Sequence, residues 1–127
     1  MSENKITVVR QMAAGIPLFQ GDVMVELVAG PVPVSFKAVE TKVIAHSETG
    51  HDHTVEHGSV FENKTNPMEL YVQCNYAEDG QPFMDFVHHR PGNHPHTTIR
   101  VECEAGQVFL IGRQRESAPE GWRQVKD

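Results

Sequence analysis

The chain has 127 residues, a mass of 14.2 kDa and a formal charge of −6. That length suits one domain able to bury roughly two thirds of its unfolded surface without disulfide help. The acidic balance, with a pI near 5.7, argues against nucleic acid as the main partner, because phosphate binding needs clustered Lys and Arg.

The basic residues are scattered, and only Arg113, Arg115 and Arg123 give the last part of the chain a basic bias. The opening Met-Ser-Glu-Asn-Lys-Ile-Thr lacks the basic and apolar regions of a secretory signal, and no run approaches the roughly 18 apolar residues of a membrane span. Cytoplasmic residence, with no membrane partner, is the default expectation.

In chain order, residues 1–15 are predicted as a short strand or a mobile arm closing at Met12-Ala13-Ala14-Gly15. Val23, Val25 and Leu27 then alternate with Met24 and Glu26, and Val43 and Ala45 with Lys42 and His46, the period of a half-buried strand. Met68, Leu70, Val72 and Cys74 alternate with Glu69, Tyr71 and Gln73. Next come Glu78-Asp79-Gly80-Gln81-Pro82 and the strand Phe83–His89, and the Asp-Gly pair predicts that the flanking strands form an antiparallel hairpin.

Ile99, Val101 and Cys103 alternate with Thr98, Arg100 and Glu102, and Val108 to Ile111 is continuously apolar. From Ser117, the sequence Ser-Ala-Pro-Glu-Gly-Trp-Arg predicts one helical turn capped by Ser117 and Glu120, with Trp122 docked on the body of the domain. No helical stripe appears elsewhere. Breakers such as Ala29-Gly30-Pro31-Val32-Pro33, Asn66-Pro67 and Arg90-Pro91-Gly92-Asn93 recur between the runs. Short strands with turns every 8 to 12 residues or so predict one all-β domain over residues 1–127, a small barrel or jelly-roll-like sandwich with residues 117–127 as a tail.

The histidines carry the chemistry. All eight fall in two clusters, His46, His51, His53, His57 and His88, His89, His94, His96, each with one His-x-His pair. In extended backbone, residues two apart project from one face about 6.6 Å apart, so two such pairs on neighbouring strands can converge. The expected site is a divalent transition metal, Zn, Fe, Mn or Ni, held by His51, His53, His94 and His96. Glu56, His88 and His89 are further candidates, although His88 and His89 are adjacent and at most one can face a given site. If His94 and His96 continue the strand from Thr97, they share the face of Thr98 and Arg100 rather than that of Ile99. His46 and His57 read as surface or hydrogen-bonded residues.

Cys74 and Cys103 lie in apolar alternation and read as buried free thiols, with a disulfide as the alternative. No phosphate loop, nucleophile elbow, His-Glu-x-x-His helix or Cys-x-x-Cys pair is present.

His51-x-His53-x-x-Glu56 resembles the first metal motif of cupins, although cupins space that glutamate one or two residues farther and place a single histidine after Pro-x-Gly in their second motif. The order Gln20-Gly21-Asp22-Val23, Gly50-His51-Asp52-His53, His94-Pro95-His96 and Gln114-Arg115-Glu116 is similar to a family of small, largely uncharacterised proteins of bacterial and phage genomes. That likeness spans Phe19 to Asp127, departs where Ser117 replaces an aromatic, and has no counterpart for Asn63–Phe86. It implies the fold and the importance of His51, His53 and His96, but no reaction.

Two functions are therefore expected from different classes. One is a metal-binding protein, an enzyme of cupin type if a coordination position is open. The other is a non-catalytic structural or decoration protein of a phage particle, resident in the virion. Both fit a homo-oligomer or a larger protein assembly as partner.

Overall fold

The computed structural model describes residues 5–45, 52–65, 69–75, 80–89, 97–113, 115–118 and 121–124, with side chains through Gly112. Among these residues all regular structure is strand, and no helix is long and apolar enough to cross a membrane.

Two sheets pack face to face as a sandwich, not as a closed barrel. The first holds five strands: β1 (Lys5–Val9), β5 (Val43–Ala45), β6 (His53–Glu56), β9 (Phe83–His88) and β10 (Thr97–Glu102), in the order β1-β10-β9-β6-β5. The second holds six: β2 (Leu18–Gln20), β3 (Val23–Val28), β4 (Lys37–Val39), β7 (Gly58–Glu62), β8 (Leu70–Cys74) and β11 (Val108–Arg113), in the order β2-β3-β11-β8-β7-β4. All pairings are antiparallel except β1 with β10.

Alternation explains the core. Val23, Val25, Val72, Cys74, Val101 and Cys103 turn inward, as the period-2 pattern predicts, and join Val55, Val60, Met84, Phe86, Phe109 and Ile111 in one cluster between the sheets. Ile44 is buried along with Ala45, because the pairing of β5 with β6 shifts register between Val43 and Ala45. Within residues 5–15 the chain forms strand β1 and buries Met12.

Two expectations are corrected. The hairpin expected across Asp79-Gly80 does not form, because β8 pairs with β7 and β11 while β9 pairs with β6 and β10 in the opposite sheet. Strand β8 ends at Cys74 in the six-stranded sheet and β9 begins at Phe83 in the five-stranded one, and residues 76–79 of the connection lie outside the described residues. The helical turn expected after Ser117 is replaced by the hairpin of β12 (Arg115–Ala118) and β13 (Gly121–Gln124), with Ser117 opposite Trp122. Strand pairing satisfies those backbone groups in place of a capped turn. The docking of the Trp122 side chain lies outside what is described.

Candidate functional site

The register of the five-stranded sheet puts Ala45, His53, His88 and Thr97 in one row across four strands, with Ala45 paired to His53, His53 to His88 and His88 to Thr97. These residues bound, or lie one residue from, both histidine-bearing connections, 46–51 and 90–96. Both connections therefore leave the same end of the sheet. His51, His94 and His96 are within them and lie outside the described residues.

His53 faces the core at 3% exposure, and with Gln20 it makes up the buried polar side chains among the described residues. The two touch: His53 Nδ1 is 3.2 Å from Gln20 Oε1. The Gln20 amide nitrogen donates to the Phe86 carbonyl at 2.9 Å and lies 3.4 Å from that of Thr97. Carbonyl oxygens only accept, so the atom facing them must be the NH2 group and the one facing His53 must be the oxygen. Nδ1 of His53 therefore carries hydrogen, and in the neutral ring Nε2 holds the lone pair.

That Nε2 lies 3.8 Å from Asp22 Oδ1. Asp22 is brought there by the two-residue loop between β2 and β3, in which Gln20 pairs with Val23 and Gly21 takes a φ of 61°. A glycine at the first loop position suits the II′ turn, which matches strand twist and requires positive φ. Gly21 also lies against both rings, since a Cβ there would sit 3.5 Å from Cε1 of His53 and of His88.

His88 stacks on His53 with centroids 4.1 Å apart and planes 13° from parallel. His89, next in sequence, points to the other face, where its Nε2 is 3.0 Å from Thr54 Oγ1 while its backbone NH bonds the Asp52 carbonyl. The two adjacent histidines thus point to opposite faces, and it is His88 that lies against His53. Glu56 is exposed and three positions from His53, so strand parity turns it to the outer face, away from this cluster. The cupin-like reading of Glu56 beside His53 is not what this geometry gives.

Asp22, His53 and His88 thus meet at one end of the sandwich, with Gln20 behind them. Among the described residues, however, no group of three or more His, Cys, Asp or Glu side chains is placed so that it could hold a metal ion. Gln20 and Asp22 were not expected as site residues. Their partner His53 is 33 positions from Gln20 in sequence, and the only signal was that Gln20-Gly21-Asp22-Val23 stood out as a motif.

His57 serves the fold instead. It is the single residue between β6 and β7, which belong to different sheets, and it takes a φ of 67° with its ring edge-on to Phe83. On the outer face Arg100 pairs with Asp85 at 2.8 and 2.9 Å and lies over the Phe83 ring, an arrangement that joins β9 to β10. Compared with known protein families, curated proteins and solved structures, the chain matches none.

Proposed function

We propose that the protein binds a divalent transition metal at the end of the sandwich where His53, His88 and Asp22 converge. The observation that carries this reading is the chain of hydrogen bonds through Gln20, which leaves His53 Nε2 as the ligating atom and aims it at a carboxylate. Histidines that hold metals commonly donate their other ring NH to a fixed acceptor, and Gln20 supplies one. His53 Nε2 and the Asp22 carboxylate, 3.8 Å apart, would supply a nitrogen and an oxygen donor to such an ion. His51, His94 and His96 sit on the two connections that depart from this row and would complete the shell; Zn, Fe, Mn and Ni suit such a donor set. If one position stays open to solvent, the centre is of catalytic type.

The test is metal content after purification without nickel affinity, followed by titration of the metal-free protein with each of the four ions. Stoichiometric binding is expected in the wild type, and its loss in Asp22→Asn/His53→Ala and in His94→Ala/His96→Ala. A wild-type protein that binds none of the four refutes the reading.

The alternative, a structural protein of a phage particle or another assembly, draws on a separate observation. Ile6 and Val8 are 56% and 46% exposed along β1, the edge of its sheet, and apolar edge strands invite pairing with another chain. A metal-free protein that sediments as a large assembly would favour it.

A further inference from the structure

The end of the sandwich opposite His53 and His88 holds the two thiols. Cys74 closes β8 in the six-stranded sheet, and Cys103 follows β10 in the five-stranded one. Both are free and buried, at 2% and 4% exposure, and Cys103 Sγ donates to Cys74 Sγ at 2.6 Å. That separation is about 0.6 Å beyond a covalent S–S bond. Backbone bonds hold both residues in place: the NH of Cys74 donates to the Gln107 carbonyl, its carbonyl accepts from Gly106, and the NH of Cys103 donates to Pro82. A cavity of about 240 Å³ among Arg10, Gln81 and Gln107 reaches Cys103 from outside.

We propose that Cys74 and Cys103 are a redox modification site, closing to a reversible disulfide that ties the two sheets together. The oxidant is a small-molecule disulfide such as glutathione disulfide. Cys103, which borders the cavity, loses its proton and attacks one sulfur of the oxidant, expelling the other as a thiolate that takes up a proton. Cys74 then loses its proton and attacks Cys103 Sγ, and the second thiolate leaves and is protonated. Two protein thiols are thereby oxidised by two electrons, and the oxidant is reduced to two thiols.

Burial pushes both thiols above their usual value near 9.0, so the exchange is slow at neutral pH and accelerates as pH rises. The bond closes a loop across 29 positions of chain, and a cross-link of that size restricts the unfolded ensemble enough to raise Tm by roughly 10 °C.

The experiment incubates the reduced, full-length protein with excess glutathione disulfide at pH 8.5. It then measures free thiols in denaturant, intact mass, non-reducing peptide maps and Tm. The expected result is loss of both thiols, a mass lower by about 2 Da, a Cys74–Cys103 cross-linked peptide and a Tm raised in a manner that dithiothreitol reverses. The Cys74→Ala variant is expected to stop at a Cys103 glutathione adduct. Two thiols that stay free after prolonged exposure, glutathione adducts that never resolve in the wild type, or cross-linking only between separate molecules would each overturn the proposal.

Discussion

Gln20 shows how one side chain can set the chemistry of another. Its amide is oriented by a carbonyl on β9, and that orientation dictates which nitrogen of His53 carries hydrogen. Replacing it with Leu keeps bulk but leaves the Phe86 carbonyl and the His53 NH without this partner inside the sandwich. Buried groups stripped of hydrogen bonds cost about 1–3 kcal/mol each, so Gln20→Leu is expected to lower unfolding stability by about 2–4 kcal/mol in urea titration, and to weaken the metal binding proposed above. Stability within about 0.5 kcal/mol of wild type would mean that the pair is solvated and the tautomer is not imposed. At this scale the sequence was half legible. His53 stood out by its His-x-His spacing, His88 only as a further candidate beside His89, and the opposed directions of His88 and His89 followed from strand parity. The contributions of Gln20 and Asp22 were hidden, because their meaning arises only when β2 and β6, far apart in the chain, meet across two sheets.

At the scale of elements, the passage from β6 to β7 is the sharpest step. One residue, His57, turns the chain from one sheet into the other, and Gly58 follows against the opposite layer. A Cβ on Gly58 would lie 2.6 Å from Met84 Sδ, and Met84 has no exposed surface to move into. Gly58→Ala is therefore expected to cost about 1–3 kcal/mol through overpacking. Met84→Ala alone opens a cavity and costs about 2–5 kcal/mol. The double variant should cost clearly less than the sum of the two, because the new methyl occupies part of the vacated space. Additive losses in a double-mutant cycle would show that the two sites do not touch. This corner also explains what the sequence concealed. Strands marked by alternation, such as β3, β8 and β10, or by a continuous apolar run, as in β11, and set off by Gly or Pro breakers were legible as elements. In the segment from His53 to Glu62 the turn is concealed, because a histidine holds the positive-φ position and the adjacent Gly58 opens β7 instead. The Asp-Gly signal misled in the opposite sense, since local turn chemistry cannot report that its flanking strands pair with other partners in different sheets.

For the whole molecule, the apolar core is bracketed by two contacts between layers. At one end Gln20 on β2 reaches the Phe86 carbonyl on β9; at the other Cys103 meets Cys74. The second contact makes stability depend on pH. Burial raises both thiols above their usual value near 9.0, so the folded chain retains protons that the unfolded chain gives up. The stabilisation that the neutral thiols provide is then fully present below about pH 9 and is lost as pH climbs from there through the folded-state values. Each thiol can contribute a slope of up to about 1.4 kcal/mol per pH unit over that window. With a phosphine reductant present, urea unfolding of the wild type between about pH 8 and 10.5 should therefore decline more steeply than that of the Cys74→Ala/Cys103→Ala variant. Lysine and tyrosine titrations are common to both proteins and cancel in the difference, as does the fixed cost of removing the sulfurs. Parallel curves would mean that the thiols ionise as freely in the folded chain as in the unfolded one. That result contradicts a dry cross-sheet contact and would place both sulfurs in water.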